Sequence, residues 1–76
     1  MHAIIWSKED CNFCRMAKDV LRAYNVEYEE RVIGTDWTKQ DLLEVVPNAT
    51  TVPQIFINGY HIGGFTDLHS FLKSRY

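Results

Sequence analysis

Cys11-Asn12-Phe13-Cys14 lies where a short apolar run gives way to an amphipathic helical pattern. A sulfur at the start of a helix is close to unpaired N–H groups and to the positive end of the helix dipole. Both favour the nucleophilic thiolate, and in such a motif the thiol pKa falls from about 8.5 to roughly 3.5–7.5. We expect Cys11, flanked by Lys8 and Arg15, to be the more exposed nucleophile and Cys14, one turn into the helix, to be the buried resolving thiol.

The residues around this motif predict a strand, a helix and a second strand. The run from His2 to Trp6 is short and β-branched, which is typical of a buried strand. Apolar residues from Phe13 to Tyr24 recur at helical spacing, and Asn25 is a suitable left-handed end. The charges between Val26 and Ile33 favour an edge strand.

The second half of the chain predicts a short helix, a hairpin and a last helix. Thr38 and Asp41 form a capping-box pattern before a helix at 39–46, with Trp37 placed to pack on Leu42. Asn58-Gly59 predicts a two-residue turn between strands at 54–57 and 60–62. Thr66 is the expected cap of the last helix. The order β-α-β-α-β-β-α requires a right-handed parallel crossover and an antiparallel hairpin, so we expect an α/β fold with a four-stranded mixed sheet covered by three helices.

Length and composition restrict the class of protein. The 76 residues suit a single domain spanning 1–76, and 46% hydrophobic, 24% charged and 13% aromatic residues exclude a disordered chain. A net charge of −2 gives no reason to expect nucleic acid or a membrane surface as a partner. No apolar run is long enough for a signal peptide or membrane span, so we expect a cytoplasmic, reducing location, where a cysteine pair is more often catalytic or metal-binding than structural.

The alternatives to a redox role for the cysteine pair are ordinary buried thiols or half of a zinc site. Zinc needs three or four ligands, and His2, His61 and His69 have no ligand spacing relative to the pair. Redox chemistry is therefore favoured and no metal is expected.

Two later segments are open to either a functional or a structural interpretation. In Thr51-Val52-Pro53, the backbone of Val52 could pair with a bound peptide, or Pro53 could simply begin a strand. In Gly63-Gly64-Phe65-Thr66-Asp67, the glycines could admit a ligand to a helix start, or end a hairpin before an ordinary cap. The residues alone do not decide between these.

Together, three segments resemble a glutaredoxin, a small member of the thioredoxin-like superfamily. They are Ser7-Lys8-Glu9-Asp10-Cys11-Asn12-Phe13-Cys14, Thr51-Val52-Pro53-Gln54-Ile55-Phe56-Ile57 and Ile62-Gly63-Gly64-Phe65-Thr66-Asp67-Leu68. Their order and spacing cover nearly the whole chain.

The resemblance implies a glutathione-dependent reductase of protein disulfides and glutathione mixed disulfides, with glutathione as co-substrate. Cys11 would attack and Cys14 would resolve. Lys8 would contact the glycyl carboxylate of glutathione, Val52 would pair with its cysteinyl part beside a cis Pro53, and Thr66 and Asp67 would hold its γ-glutamyl end. The glutathione-binding residues implied are Lys8, Phe13, Thr51, Val52, Pro53, Gly64, Thr66 and Asp67.

The sequence departs from the commonest family pattern at two places. Asn12 and Phe13 replace the usual Pro-Tyr between the cysteines, and Asn48 and Ala49 stand where many members have a Gly and a basic residue. One carboxylate contact to glutathione is therefore expected to be missing.

Two alternatives to this function stay open at this stage. Some glutaredoxin-like proteins hold a [2Fe–2S] cluster between two chains, and others are reduced by thioredoxin reductase. We otherwise expect a monomer that serves electron transport and cell redox homeostasis, with ribonucleotide reductase among the usual clients of the family.

Overall fold

The structure, a computed structural model, describes residues 1–75. The order β-α-β-α-β-β-α predicted from the sequence is confirmed. The elements are β1 His2–Ser7, α1 Asn12–Ala23, β2 Glu27–Val32, α2 Lys39–Val45, β3 Gln54–Ile57, β4 Tyr60–Gly63 and α3 Phe65–Arg75.

The four strands form one mixed sheet with the order β2-β1-β3-β4. β1 runs parallel to β2 and antiparallel to β3, and β3 pairs antiparallel with β4. The predicted edge position of β2 is confirmed. β1 lies at the centre of the sheet and leads directly into the loop that carries Cys11.

β1 is buried on both faces because its alternate side chains enter two different cores. Ala3 and Ile5 belong to the larger core, to which Ala17 and Leu21 of α1 also contribute. Trp6 faces the other way and packs in a smaller core on the α2 side. The larger core contains Ala3, Ile5, Ala17, Leu21, Val26, Ile55, Ile57, Leu68 and Leu72.

Helix and turn signals in the sequence are confirmed in most cases. Thr38 and Asp41 form the capping box of α2, and Trp37 packs on the cluster that contains Leu42. Asn25, with φ of 56°, follows the C-cap of α1 in the left-handed conformation. Asn58 and Gly59 both have positive φ, 50° and 86°, as a type I′ hairpin turn requires.

The expected cap of the last helix was wrong. α3 begins at Phe65, so Thr66 is already its second residue and Gly64 occupies the cap position. The Asp67 carboxylate accepts a hydrogen bond from the Gly64 N–H at 3.1 Å. The glycine is tolerated because a side chain three residues later satisfies its N–H. Among residues 1–75, no helix has both the length and the apolar character needed to cross a membrane.

The Glu30 side chain on β2 connects this strand with β1 and α1. The register pairs Glu30 with Ile5, so Glu30 points toward α1 rather than outward. Its Oε2 accepts a hydrogen bond from Ser7 Oγ at 2.7 Å and lies 2.9 Å from Lys18 Nζ. Burial alone raises the pKa of Glu30, but the hydrogen bonds from Ser7 and Lys18 and the charge of Lys18 outweigh it, and the net pKa is lowered.

This lowered pKa makes stability depend on pH. The Glu30 carboxylate contributes stability that is fully present above its unfolded pKa and is lost as pH falls through its lower folded pKa. We expect Glu30→Gln to lower the free energy of unfolding by roughly 1–2 kcal/mol at pH 7, with the difference from wild type vanishing in acid. Urea unfolding of the oxidised proteins from pH 3 to 8 checks this. The control is Glu27→Gln at an exposed position of the same strand, and an equal effect of both variants at all pH values would contradict the prediction.

Candidate active site

Cys11 is the N-cap of α1. Its backbone is extended, with φ of −119° and ψ of 106°, and its sulfur accepts a hydrogen bond from the Cys14 N–H at 3.2 Å. The sulfur therefore takes the place of the oxygen that a Ser or Asp cap supplies, and satisfies one of the unpaired N–H groups of the helix. This arrangement stabilises negative charge on Cys11 rather than on Cys14.

The two cysteines are joined as a disulfide with a Cα–Cα distance of 5.2 Å. Cys11 is 9% exposed and Cys14 2% exposed, so the predicted order of exposure is confirmed. An incoming thiolate therefore meets more of the Cys11 sulfur than of the Cys14 sulfur. The arrangement can therefore carry out thiol–disulfide exchange with Cys11 outermost.

Between the cysteines, Asn12 and Phe13 are both exposed. The Asn12 Oδ1 accepts a hydrogen bond from the Arg15 guanidinium one turn later. Phe13 is 58% exposed, and its ring lies against that of Phe65, with 6.1 Å between the centroids. Phe65 is half-buried and packs on the larger core, so the exposed Phe13 ring beside the sulfur rests on a fixed neighbour and offers a contact surface.

The Val52 backbone lies beside the Cys11 sulfur. Cys11 Sγ is 3.9 Å from the Val52 carbonyl oxygen, and the Val52–Pro53 peptide bond is cis, as the resemblance implies. Among residues 1–75, no turn, loop or cap hydrogen bond uses the Val52 N–H. Side-chain contacts of Gln54 hold this segment in place. The Gln54 Nε2 donates to the Thr51 carbonyl at 3.0 Å, and the Gln54 Oε1 is 2.7 Å from His61 Nε2.

A cleft of about 330 Å³ brings most of the predicted site residues together, and we call it the Val52 cleft. Seven of the eight residues proposed to bind glutathione line it, and Phe65 joins them. Its lining is Phe13, Thr51, Val52, Pro53, Gly64, Phe65, Thr66 and Asp67.

The eighth residue, Lys8, lies in an adjoining cleft of about 220 Å³, which we call the lysine cleft. Thr51 and Val52 line both clefts, so the two adjoin at this segment. Lys39, the first residue of α2, lines the lysine cleft with Lys8. Lys39 carries no signal in the sequence, because a lysine at the start of a helix looks like any solvent-exposed lysine until the fold places α2 beside the 49–52 segment.

At the other end of the Val52 cleft, a glycine allows the close approach of Asp67. Gly63 has φ of +126°, and a Cβ at this position would collide with the Asp67 carboxylate. The same carboxylate holds the Gly64 N–H. The glycines therefore permit a negatively charged wall in the Val52 cleft.

Among residues 1–75, no group of three or more His, Cys, Asp or Glu side chains could hold a metal ion.

A Cys-x-x-Cys disulfide at a helix start, beside a cis-proline loop on a four-stranded mixed sheet, defines a dithiol protein of the thioredoxin-like class.

The comparisons with known proteins define the family within that class. The family model described as Glutaredoxin matches residues 3–62. The chain belongs to the glutaredoxin family. The mitochondrial glutaredoxin-2 of Pongo abelii is 41% identical over 75 residues, which cover 92% of this chain and 45% of that protein. The chain thus spans about half the length of the first curated relatives it matches.

Solved structures agree on the fold. The structure of reduced Escherichia coli glutaredoxin has a TM-score of 0.82 and 32% identity, and the match covers 97% of this chain and 95% of that one. A buckwheat glutaredoxin–glutathione complex has a TM-score of 0.73 and 25% identity, with 96% and 69% covered. The thioredoxin-like glutaredoxin fold is confirmed.

The Gly63–Asp67 contact gives a stability prediction. We expect Gly63→Ala to lower the free energy of unfolding by at least about 2 kcal/mol, because it adds a collision to a backbone conformation that side chains rarely adopt. Gly59→Ala is the matched control, since Gly59 also has positive φ but open space around it. We expect it to cost about 1 kcal/mol. Thermal unfolding of both variants checks this, and equal losses would show that the Asp67 contact contributes nothing.

Proposed function

We propose that this protein is a glutathione-dependent thiol–disulfide oxidoreductase that reduces glutathione mixed disulfides and protein disulfides through Cys11 and Cys14. The observation that carries the proposal is the position of the Cys11 sulfur. It lies 3.9 Å from the Val52 carbonyl oxygen, beside the Val52 cleft, which Asp67 lines, and near the adjoining lysine cleft, which Lys8 and Lys39 line.

Glutathione suits this cleft by its charges and its backbone. It is an extended tripeptide with a glycyl carboxylate at one end and an α-amino and α-carboxylate group at the other. In the proposed pose, Lys8 and Lys39 contact the glycyl carboxylate and the Val52 backbone pairs with the cysteinyl part. Asp67 contacts the ammonium, and the first N–H groups of α3 face the second carboxylate. The buckwheat relative solved with glutathione supports this choice of ligand.

The presence of Lys39 alters the expectation that a carboxylate contact is missing. Ala49 does leave out the basic residue of many family members, but it lines the lysine cleft beside Lys39. We propose that α2 supplies the second cation that the 49–52 segment lacks. Glutathione binding then depends on two lysines from two different elements.

With a glutathione mixed disulfide, one thiol is sufficient. The Cys11 thiolate attacks the glutathione sulfur, the mixed disulfide bond breaks, and the released thiolate takes a proton from water. Cys11 is now bonded to glutathione, which occupies the cleft. A second glutathione thiolate attacks the sulfur of the bound glutathione, forming glutathione disulfide and restoring the Cys11 thiolate.

With a protein disulfide, both cysteines are needed. Cys11 attacks one substrate sulfur and the other leaves as a thiolate. Cys14, one turn away, then attacks the Cys11 sulfur, which releases the substrate dithiol and forms the Cys11–Cys14 disulfide seen in the structure. Two glutathione molecules return the pair to the dithiol.

These roles predict different losses for the two cysteine variants. We expect Cys11→Ser to reduce turnover of both substrate types to the uncatalysed rate, because it removes the attacking sulfur. Cys14→Ser loses reduction of a protein disulfide but keeps removal of glutathione from a mixed disulfide. NADPH consumption in the presence of glutathione and glutathione reductase measures both. Equal losses in the two variants would overturn the assignment of roles.

The lysine cleft predicts a change in affinity for glutathione. We expect Lys39→Ala to raise the KM for a small glutathione mixed disulfide about fivefold, or about 1 kcal/mol, because an exposed charge contact to its glycyl carboxylate is lost. The kcat changes little, since the contact is made equally in the ground and transition states. Lys73→Ala removes the same charge from the last turn of α3 and is the control. A KM unchanged from that of the control would exclude Lys39 from the binding site.

A further inference from the structure

A third cleft, of about 370 Å³, opens on the β2 side of the cysteine pair, whereas the Val52 cleft lies on the side of β3 and α3. We call it the charged cleft, because both cysteines line it together with charged side chains of both signs. These are Lys8, Glu9, Asp10, Arg15, Lys18 and Glu30.

Among these charges, the pair formed by Lys18 and Glu30 is the best held. Lys18 Nζ is 2.9 Å from Glu30 Oε2, and the two side chains are only 22% and 29% exposed. The same oxygen accepts a hydrogen bond from Ser7 Oγ, and Ser7 is 1% exposed. A charge held by a buried partner and partly removed from water acts on its neighbours with less screening than a surface charge.

The pair is close to the resolving cysteine. Cys14 and Lys18 are four residues apart on α1, so their Cβ atoms are about 5–6 Å apart on one face of the helix. Cys14 is 2% exposed and lines the charged cleft together with Lys18 and Glu30. Lys18 and Glu30 therefore place a positive and a negative charge in the cleft that both cysteines line.

We propose that Lys18 and Glu30 have opposing effects on the thiolate of the Cys11–Cys14 pair, so that removing either charge alone shifts the redox equilibrium of the pair. Lys18 stabilises the thiolate of the reduced form, and Glu30 destabilises it. In the native protein the two effects largely cancel, which keeps the helix start as the main source of thiolate stabilisation. Both are positioning residues in this sense, because they set the electrostatic potential at the sulfurs.

The oxidised protein and two glutathione molecules give the dithiol protein and one glutathione disulfide. Two glutathione sulfurs lose one electron each, the Cys11–Cys14 bond takes up both electrons, and the two protons pass to the cysteine sulfurs. A change that stabilises the thiolate favours the reduced side.

The test is the equilibrium constant of this reaction for two variants with opposite charge changes. We expect Glu30→Gln to raise it about threefold, because Lys18 is left uncompensated. We expect Lys18→Met to lower it about threefold, because Glu30 is left uncompensated. For a two-electron couple each shift equals about 14 mV. Alkylation of free thiols and mass spectrometry of the quenched mixtures measure the reduced fraction at pH 7.

A matched control separates this effect from a simple change of net charge. Glu29 is next to Glu30 on β2 and pairs with Arg31 at 2.6 Å, but does not line the charged cleft. We expect Glu29→Gln to leave the equilibrium constant unchanged. The double variant Glu30→Gln/Lys18→Met restores a value close to that of wild type.

Loss of packing alone would move both single variants in the same direction. Shifts of the same sign, or shifts no larger than that of Glu29→Gln, would overturn the proposal. The inference rests on the redox cycle proposed above but not on glutathione as the reductant. The same comparison of variants in dithiothreitol buffers therefore tests the effect of the charge pair separately from the use of glutathione. A wild-type pair that dithiothreitol reduces and glutathione does not would contradict the proposed function, while opposite shifts in dithiothreitol would still support the charge pair.

Discussion

The hydrogen bond from the Cys14 N–H to the Cys11 sulfur, 3.2 Å long, is the contact on which the proposed chemistry depends. It exists only because α1 begins immediately after Cys11. The end of β1 fixes that starting point, because Ile5 and Trp6 are buried on opposite faces of the sheet and neither can shift. A slip of one residue in β1 would exchange the two faces and move the sulfur away from the helix start. The buried strand therefore determines which cysteine sulfur receives the hydrogen bond at the start of α1.

The sheet order then decides what surrounds the sulfur. β3 lies beside β1, so the loop before β3 places Val52 next to Cys11, and the hairpin carries the chain to α3 and Asp67. β2 lies on the other side of β1 and brings Glu30 beneath α1. The pair consequently has a peptide-sized cleft on one side and a charged cleft on the other. In our account the first selects the substrate and the second sets how readily the disulfide is reduced.

The element order, the edge position of β2, the Asn58-Gly59 turn and the exposure of Cys11 relative to Cys14 could all be predicted from the sequence. Each follows from local chemistry, whether a period in the hydrophobic pattern, a left-handed turn residue or a capping pattern. The predicted cap of α3 was wrong because Thr66 and Gly64 are both acceptable caps. The Asp67 carboxylate decides between them, since it accepts the Gly64 N–H. Lys39 and Glu30 could not be placed, because their roles depend on which strands become neighbours. For Glu30 a signal was present, since it alternates with Tyr28, which packs on the larger core.

The central claim is that Cys11 exchanges disulfides with glutathione. The most direct measurement is the turnover of a small glutathione mixed disulfide by the purified wild-type protein, followed by NADPH consumption with glutathione and glutathione reductase present. The account predicts a rate that is proportional to protein concentration and is lost when glutathione is omitted. A rate no higher than the uncatalysed one, with both thiols shown to be reduced at the start, would contradict it.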